Sequence, residues 1–146
     1  MKLYTIGFTQ KSAKDFFEKI KSFNVELLID IRLNNSSQLA GFAKGKDLEY
    51  FLSEICGCKY VHDLDLSPTK ELLDDYRAKK KTWSEYEVIF NEIMKSRDIS
   101  ASFNKKYSTY DRVCLLCTEP TAERCHRRLV AEYLQSRIDG IEIIHV

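Results

Sequence analysis

Glycine and proline are scarce. Five and two of them in 146 residues are too few for flexible linkers, low-complexity tails or a glycine-rich phosphate cradle, so the chain is expected to be mostly regular structure. Excess charge is missing as well. Lys and Arg number 23 against 22 Asp and Glu, a net of +1, which creates no whole-chain field to recruit a polyanion or an anionic membrane surface. Nucleic acid is therefore not supported as a partner by net charge, and any attraction to phosphate has to be local. Long apolar runs are absent too: the longest, near Val25–Ile31 and Val113–Cys117, are of strand length, far below the ~20 residues of a membrane helix. Met1–Gly7 has one basic residue and an apolar stretch too short for a secretion signal.

The five cysteines, Cys56, Cys58, Cys114, Cys117 and Cys125, are odd in number and spaced unlike a disulfide framework. They are read as reduced thiols of a cytoplasmic protein with no membrane association. A composition of 44% hydrophobic and 31% charged residues at this length favours one domain over residues 1–146.

Leu3–Ile6 has the pattern of a strand stopped by Gly7. Ser12, with Asp15 three residues on, predicts a helix start before the apolar series Ala13, Phe16, Phe17, Ile20 and Phe23. Glu26–Arg32 is apolar on both faces until its end, as in a parallel strand covered by helices on each side. Asp47 is expected to cap a helix with the stripe Leu48, Phe51, Leu52 and Ile55, and Lys59–His62 to form a third strand. Ser67-Pro68 predicts another helix start, and Thr82 to Glu85 a capping box ahead of Tyr86, Ile89, Phe90, Ile93 and Met94. Arg112–Cys117 reads as a buried strand, Thr121 to about Arg137 as a helix, and Ile141–His145 as the closing strand. The expected fold is α/β, a single three-layer domain with a mostly parallel sheet of about five short strands and helices on both faces.

Two motifs come close to known sites and miss. Gly41 to Asp47 resembles a phosphate loop but has three residues between its glycines instead of four, and Asp where Ser or Thr is needed. Cys117 at a strand end invites comparison with the cysteine phosphatases and rhodanese. The phosphatase arginine position is Glu123 here, Arg124 comes one residue late, and Pro120 removes a backbone donor. Zinc ligation is not set aside, although neither Cys56, Cys58 and His62 nor Cys117, Cys125 and His126 has the pair spacing of fingers or ribbons. Cys114 and Cys117 have that spacing, but a strand turns them to opposite faces.

Ligands of open parallel sheets bind beyond the carboxyl ends of the strands. There the chain places Thr9, Asp30 and Arg32, Cys117 and Glu119, and then Cys125, His126 and Arg127. A helical wheel puts His126 near the centre of the face made by Leu129, Val130, Tyr133 and Leu134, with Cys125 and Arg127 flanking it. Arg124 and Arg128 fall on the opposite side, which leaves Arg127 as the ligand-facing cation. A helix start favours anions, thiolate and neutral imidazole.

In order, Thr5-Ile6-Gly7-Phe8-Thr9, Leu28-Ile29-Asp30-Ile31-Arg32, Leu116-Cys117-Thr118-Glu119 and Cys125-His126-Arg127 resemble the family called domain of unknown function 488. That family is marked by a T-I-G start, a D-V-R strand end, and a C-x-E element followed by C-H-R. The likeness spans nearly the whole chain, including Gly41-Phe42 and Tyr60-Val61-His62. It implies a small α/β domain with these motifs at one sheet edge, and no settled activity, cofactor or substrate. Phe8 stands where His or Tyr is common; Thr9 keeps the hydroxyl of the usual Ser.

Three readings of function follow. In the first, the chain is hydrolase- or transferase-like and acts on a small anion (a phosphate ester, nucleotide or nucleic-acid end). Thr9, Asp30, Arg32, Cys117 and Arg127 bind the ligand, Glu119, Cys125 and His126 are the candidate catalytic groups, and no cofactor is needed. The second is a non-catalytic binding or regulatory module whose partner meets a surface such as Lys79-Lys80-Lys81 or Lys105-Lys106. The third is a zinc or thiol-redox protein built on Cys117, Cys125 and His126.

Overall fold

The structure is a computed structural model and describes residues 1–36 and 40–146. Five strands form one parallel sheet: β1 (Lys2–Gly7), β2 (Leu27–Asp30), β3 (Lys59–His62), β4 (Arg112–Cys117) and β5 (Glu142–His145), in the order β3-β2-β4-β1-β5. The central strand, β4, is buried from Val113 to Cys117, which is why its residues are apolar on both faces.

The two sides of the sheet carry separate cores. On one, α1 (Ala13–Ser22) and α2 (Gly45–Phe51) cover Tyr4, Ile6, Leu28, Cys114 and Leu116. On the other, α3 (Lys70–Arg77), α4 (Trp83–Ser96), α5 (Ile99–Tyr107) and α6 (His126–Gln135) cover Leu3, Leu27, Ile29, Val113, Leu115 and Cys117. The expected three-layer α/β architecture is therefore present, and Cys114 and Cys117 do lie on opposite faces.

Connections leaving β1 and β2 run to the first helical layer, whereas the connection leaving β4 runs to the second. Right-handed crossovers demand this, because the chain moves in opposite directions along the sheet in its two halves. The crevice opened by such a reversal is the usual ligand site of an open parallel sheet, and the carboxyl end of β4 lies in it.

Ser12 caps α1 by accepting from the Asp15 amide, and Thr82 and Glu85 form the reciprocal capping box of α4. Other boundaries move. β2 ends at Asp30, leaving Ile31 and Arg32 just beyond the strand. α2 starts at Gly45, so Asp47 lies in its first turn and is not its cap. The next residues, Leu52–Cys56, take the wider π pitch, which rotates Ile55 off the buried stripe of Leu48 and Leu52 and leaves it exposed. Ser67 closes a short turn by donating to the Leu64 carbonyl, and Thr69 caps α3 in its place. The helix expected from Thr121 begins only at His126. Residues 118–125 form turns, because the Thr118 and Glu119 carbonyls accept from Thr9 and Arg127 and not from a following helical turn.

Candidate active site

Cys117 is the last residue of β4, paired with Gly7 on one neighbour, while Ile31 beyond β2 donates its amide to the Leu116 carbonyl on the other side. This placement draws the ends of three strands around one sulfur. His126, the first residue of α6, lies with Nε2 2.8 Å from the Ile31 carbonyl oxygen and Nδ1 3.3 Å from Cys117 Sγ. A carbonyl can only accept, so Nε2 carries a proton and Nδ1 is the nitrogen turned to the thiol. Phe90 packs edge-on against the imidazole and fixes its plane.

Burial alone would raise the Cys117 thiol. It is outweighed by a hydrogen bond from Cys125, by the Thr118 and Glu119 amides and by the charge of Arg127, and the group is held below its ordinary value of 9.0. Cys125 moves the other way, well upward, chiefly because it is the donor to Cys117 and then because it is buried. Of the two sulfurs, Cys117 is thus the one that ionises more readily, and Cys125 is its hydrogen-bond donor. The short loop after β4, which lacks the cysteine-phosphatase spacing, still turns two amides onto the sulfur.

Asp30 and Arg32 make the second part of the site. Asp30 is 0% exposed and Arg32 3%. The carboxylate accepts from Arg32 Nε at 2.9 Å and Nη2 at 2.7 Å, from the Arg32 amide at 3.2 Å and from the Tyr60 hydroxyl at 2.7 Å. Arg32 Nη2 also donates to the Ala43 carbonyl, and the guanidinium lies 5.0 Å from the centroid of the Phe8 ring. Phe8, which cannot hydrogen-bond a ligand, therefore serves as a cation–π platform for Arg32. One nitrogen is left over: Arg32 Nη1 is buried and has no partner among the described residues.

A cleft of about 750 Å³ opens over these groups. Arg32, Cys117, Glu119, Cys125 and His126 line it, together with Tyr76 of α3 and Trp83 and Tyr86 of α4. Five of the eight expected site residues thus border one cleft, with Asp30 directly behind Arg32. Thr9 and Arg127 do not border it. Thr9 donates through both its hydroxyl and its amide to the Thr118 carbonyl. Arg127, 1% exposed, donates to the carbonyls of Glu119 and Pro120. Both hold the loop that carries Glu119. The cation that does reach the cleft from this segment is Arg124, which a wheel begun at Thr121 had turned to solvent.

The sequence reading did not single out Tyr60 or the aromatic wall. Tyr60 stood within the Tyr60-Val61-His62 element, but its bond to Asp30 joins two strands and leaves no trace in spacing. Trp83 and Tyr86 recur at helical spacing, which reads as core.

The thiol pattern has a direct chemical consequence. Burial pushes Cys58 up to about 12, and burial raises Cys56 and Cys114 as well. All five cysteines are free thiols, and only the thiolate form alkylates readily. In neutral buffer iodoacetamide should therefore modify Cys117 ahead of the other four, with a pH midpoint below 9.0. Peptide mapping of the partly alkylated protein checks this; five thiols reacting at one slow rate would contradict it.

The donor atoms of Cys117, Cys125 and His126 all lie within 4.8 Å of one another, so these three residues could also hold a metal ion. No helix among the described residues is long and apolar enough to cross a membrane. Searches among curated proteins and among solved structures found no match. A family model does match, over residues 12–134, which takes in Asp30–Arg32, Cys117–Glu119 and Cys125–Arg127 and leaves out Thr5–Thr9. Its description is Domain of unknown function DUF488, and the chain belongs to that family.

Proposed function

We propose that the protein is a thiol-dependent enzyme, hydrolase- or transferase-like, acting on a small phosphate-bearing anion in the cytoplasm without a cofactor. The observation that carries this reading is that Arg32 borders the cleft that contains Cys117 and keeps one buried guanidinium nitrogen, Nη1, without a partner among the described residues. A buried N–H left unmade costs free energy, and a phosphate oxygen is the partner that guanidinium geometry suits. Asp30 fixes the fork from behind.

With phosphate held at Arg32, Cys117 Sγ attacks phosphorus. The S–P bond forms as the P–O bond to the leaving group breaks, and the leaving oxygen takes a proton from Glu119. In the second step water, or an acceptor hydroxyl, gives its proton to Glu119 as it displaces sulfur. His126 and Cys125 return to their starting bonds with the thiolate.

Calorimetry with inorganic phosphate, and turnover of phenyl phosphate, test this. Wild type should bind phosphate, Cys117→Ser should bind it and turn nothing over, and Glu119→Gln should slow turnover by roughly 10²–10⁴-fold, the usual share of a general acid. Absence of phosphate binding by wild type would sink the proposal. Binding without turnover in wild type would favour the non-catalytic module.

A second reading rests on the clustered donors of Cys117, Cys125 and His126. Three protein ligands are what a catalytic zinc uses, and an imidazole anchored through its other nitrogen to a carbonyl is the usual outer support. Metal analysis of protein purified without added zinc decides between the two. One equivalent per chain, together with Cys117 blocked to alkylation until the metal is chelated, supports zinc; trace metal removes it.

A further inference from the structure

The cleft is much larger than a phosphate group, and its lining is of two kinds. Besides the polar residues at the strand ends it includes Tyr76 of α3 and Trp83 and Tyr86 of α4. Trp83 and Tyr86 are stacked, with centroids 4.9 Å apart and planes 14° from parallel, and Tyr76 packs against both at 5.6 and 5.3 Å. Tyr86 is buried, whereas Trp83 and Tyr76 are half-buried and border the cleft. Leu73 and Pro68 extend the same wall. Arg32, 3% exposed and with Nη1 unpartnered, borders the same cleft.

A cleft lined both by an arginine with an unpartnered nitrogen and by a stacked aromatic pair suits a ligand with two matching parts. Resting on the reading above, we propose that the substrate is a phosphate ester carried on a planar ring, of the nucleotide or aryl phosphate class, with the ring against Trp83 and the phosphate at Arg32. The ring extends the Trp83–Tyr86 stack by one layer. Stacking of this kind tolerates different rings, so the wall selects for a planar group and the polar end for the anion.

Trp83 is the single tryptophan of the chain, so its fluorescence reports occupancy of the wall directly. Wild type is titrated with adenosine monophosphate, phenyl phosphate, glycerol phosphate, inorganic phosphate and adenosine, and calorimetry repeats the series on Trp83→Leu and Trp83→Phe. The two ring-bearing phosphates should quench Trp83 and bind roughly 5- to 150-fold tighter than glycerol phosphate, the span of one stacked ring. Trp83→Leu should erase that advantage while leaving affinity for inorganic phosphate unchanged, and Trp83→Phe should restore most of it. A larger gain for adenosine monophosphate than for phenyl phosphate identifies the nucleotide, and the reverse order a simple aryl ester.

Equal affinity of wild type for glycerol phosphate and the ring-bearing esters overturns the inference and leaves the phosphate site standing. Quenching by adenosine in a protein that binds no inorganic phosphate is the converse result: the ring site exists, and the phosphate-based function and this substrate class both fail.

Discussion

Gly7→Ala is expected to destabilise the protein by at least the ~1–3 kcal/mol of an overpacked core substitution, and to disorganise the site even where the chain still folds. Gly7 ends β1 and pairs with Cys117. A Cβ at this position would land on the Glu119 carbonyl oxygen and lie 2.8 Å from Arg127 Nη1. Those two groups are themselves hydrogen-bonded, and they hold the loop whose amides face the Cys117 sulfur. A methyl group cannot be accommodated by rotating a flexible side chain, because the nearest obstacle is backbone. The loop has to lift, and the donors from Thr118 and Glu119 move with it. Urea unfolding compared with Gly41→Ala, where a Cβ meets nothing within 4 Å, measures the stability part. Loss of the selective alkylation of Cys117 measures the part at the site. A Gly7→Ala protein as stable as the Gly41→Ala control, with Cys117 still the fast thiol, would show that the close approach at Gly7 is not needed.

The fold was legible wherever one element buries two faces. β4 was readable to the residue, because a parallel strand between helical layers has to be apolar on both sides, and the Ser12 and Thr82 caps were readable because capping is local chemistry. Boundaries failed where a tertiary bond replaced a local one. Pro120 and Thr121 resemble a helix start, yet the loop holding them is fixed by Thr9 from β1 and by Arg127 from α6, and neither contact has a sequence period. The same fact misdirected Arg127. On the wheel it flanks the buried face whichever residue starts the helix, but what it meets there is the carbonyls of that loop and not a ligand, while Arg124, lying before the helix, borders the cleft. The motif residues at the strand ends were found because the topology gathers the carboxyl ends at one place. Trp83 and Tyr76 belong to helices of the covering layer, where a half-buried aromatic and a core aromatic have the same spacing.

Asp30→Asn is expected to cost about 3–5 kcal/mol, the usual consequence of removing one partner of a buried ion pair, and to abolish phosphate binding. The carboxylate accepts four hydrogen bonds, three from Arg32 and one from Tyr60. An amide offers one oxygen and turns two N–H donors toward groups that are themselves donors, so a buried guanidinium is left without its counter-charge. Stability alone does not explain why the pair exists. Replacing a whole buried ion pair by apolar residues of similar volume is often neutral or stabilising. Asp30→Leu combined with Arg32→Met and Tyr60→Phe should therefore recover most of the stability lost in Asp30→Asn, as measured by urea unfolding, while inorganic phosphate still fails to bind by calorimetry. The contrast separates two roles that single substitutions confuse. If the pair is there to point Arg32 Nη1 into the cleft, stability and binding come apart in the combined variant. If the combined variant is as unstable as Asp30→Asn, the pair is a structural tie between β2 and β3, and the unpartnered nitrogen is incidental to function.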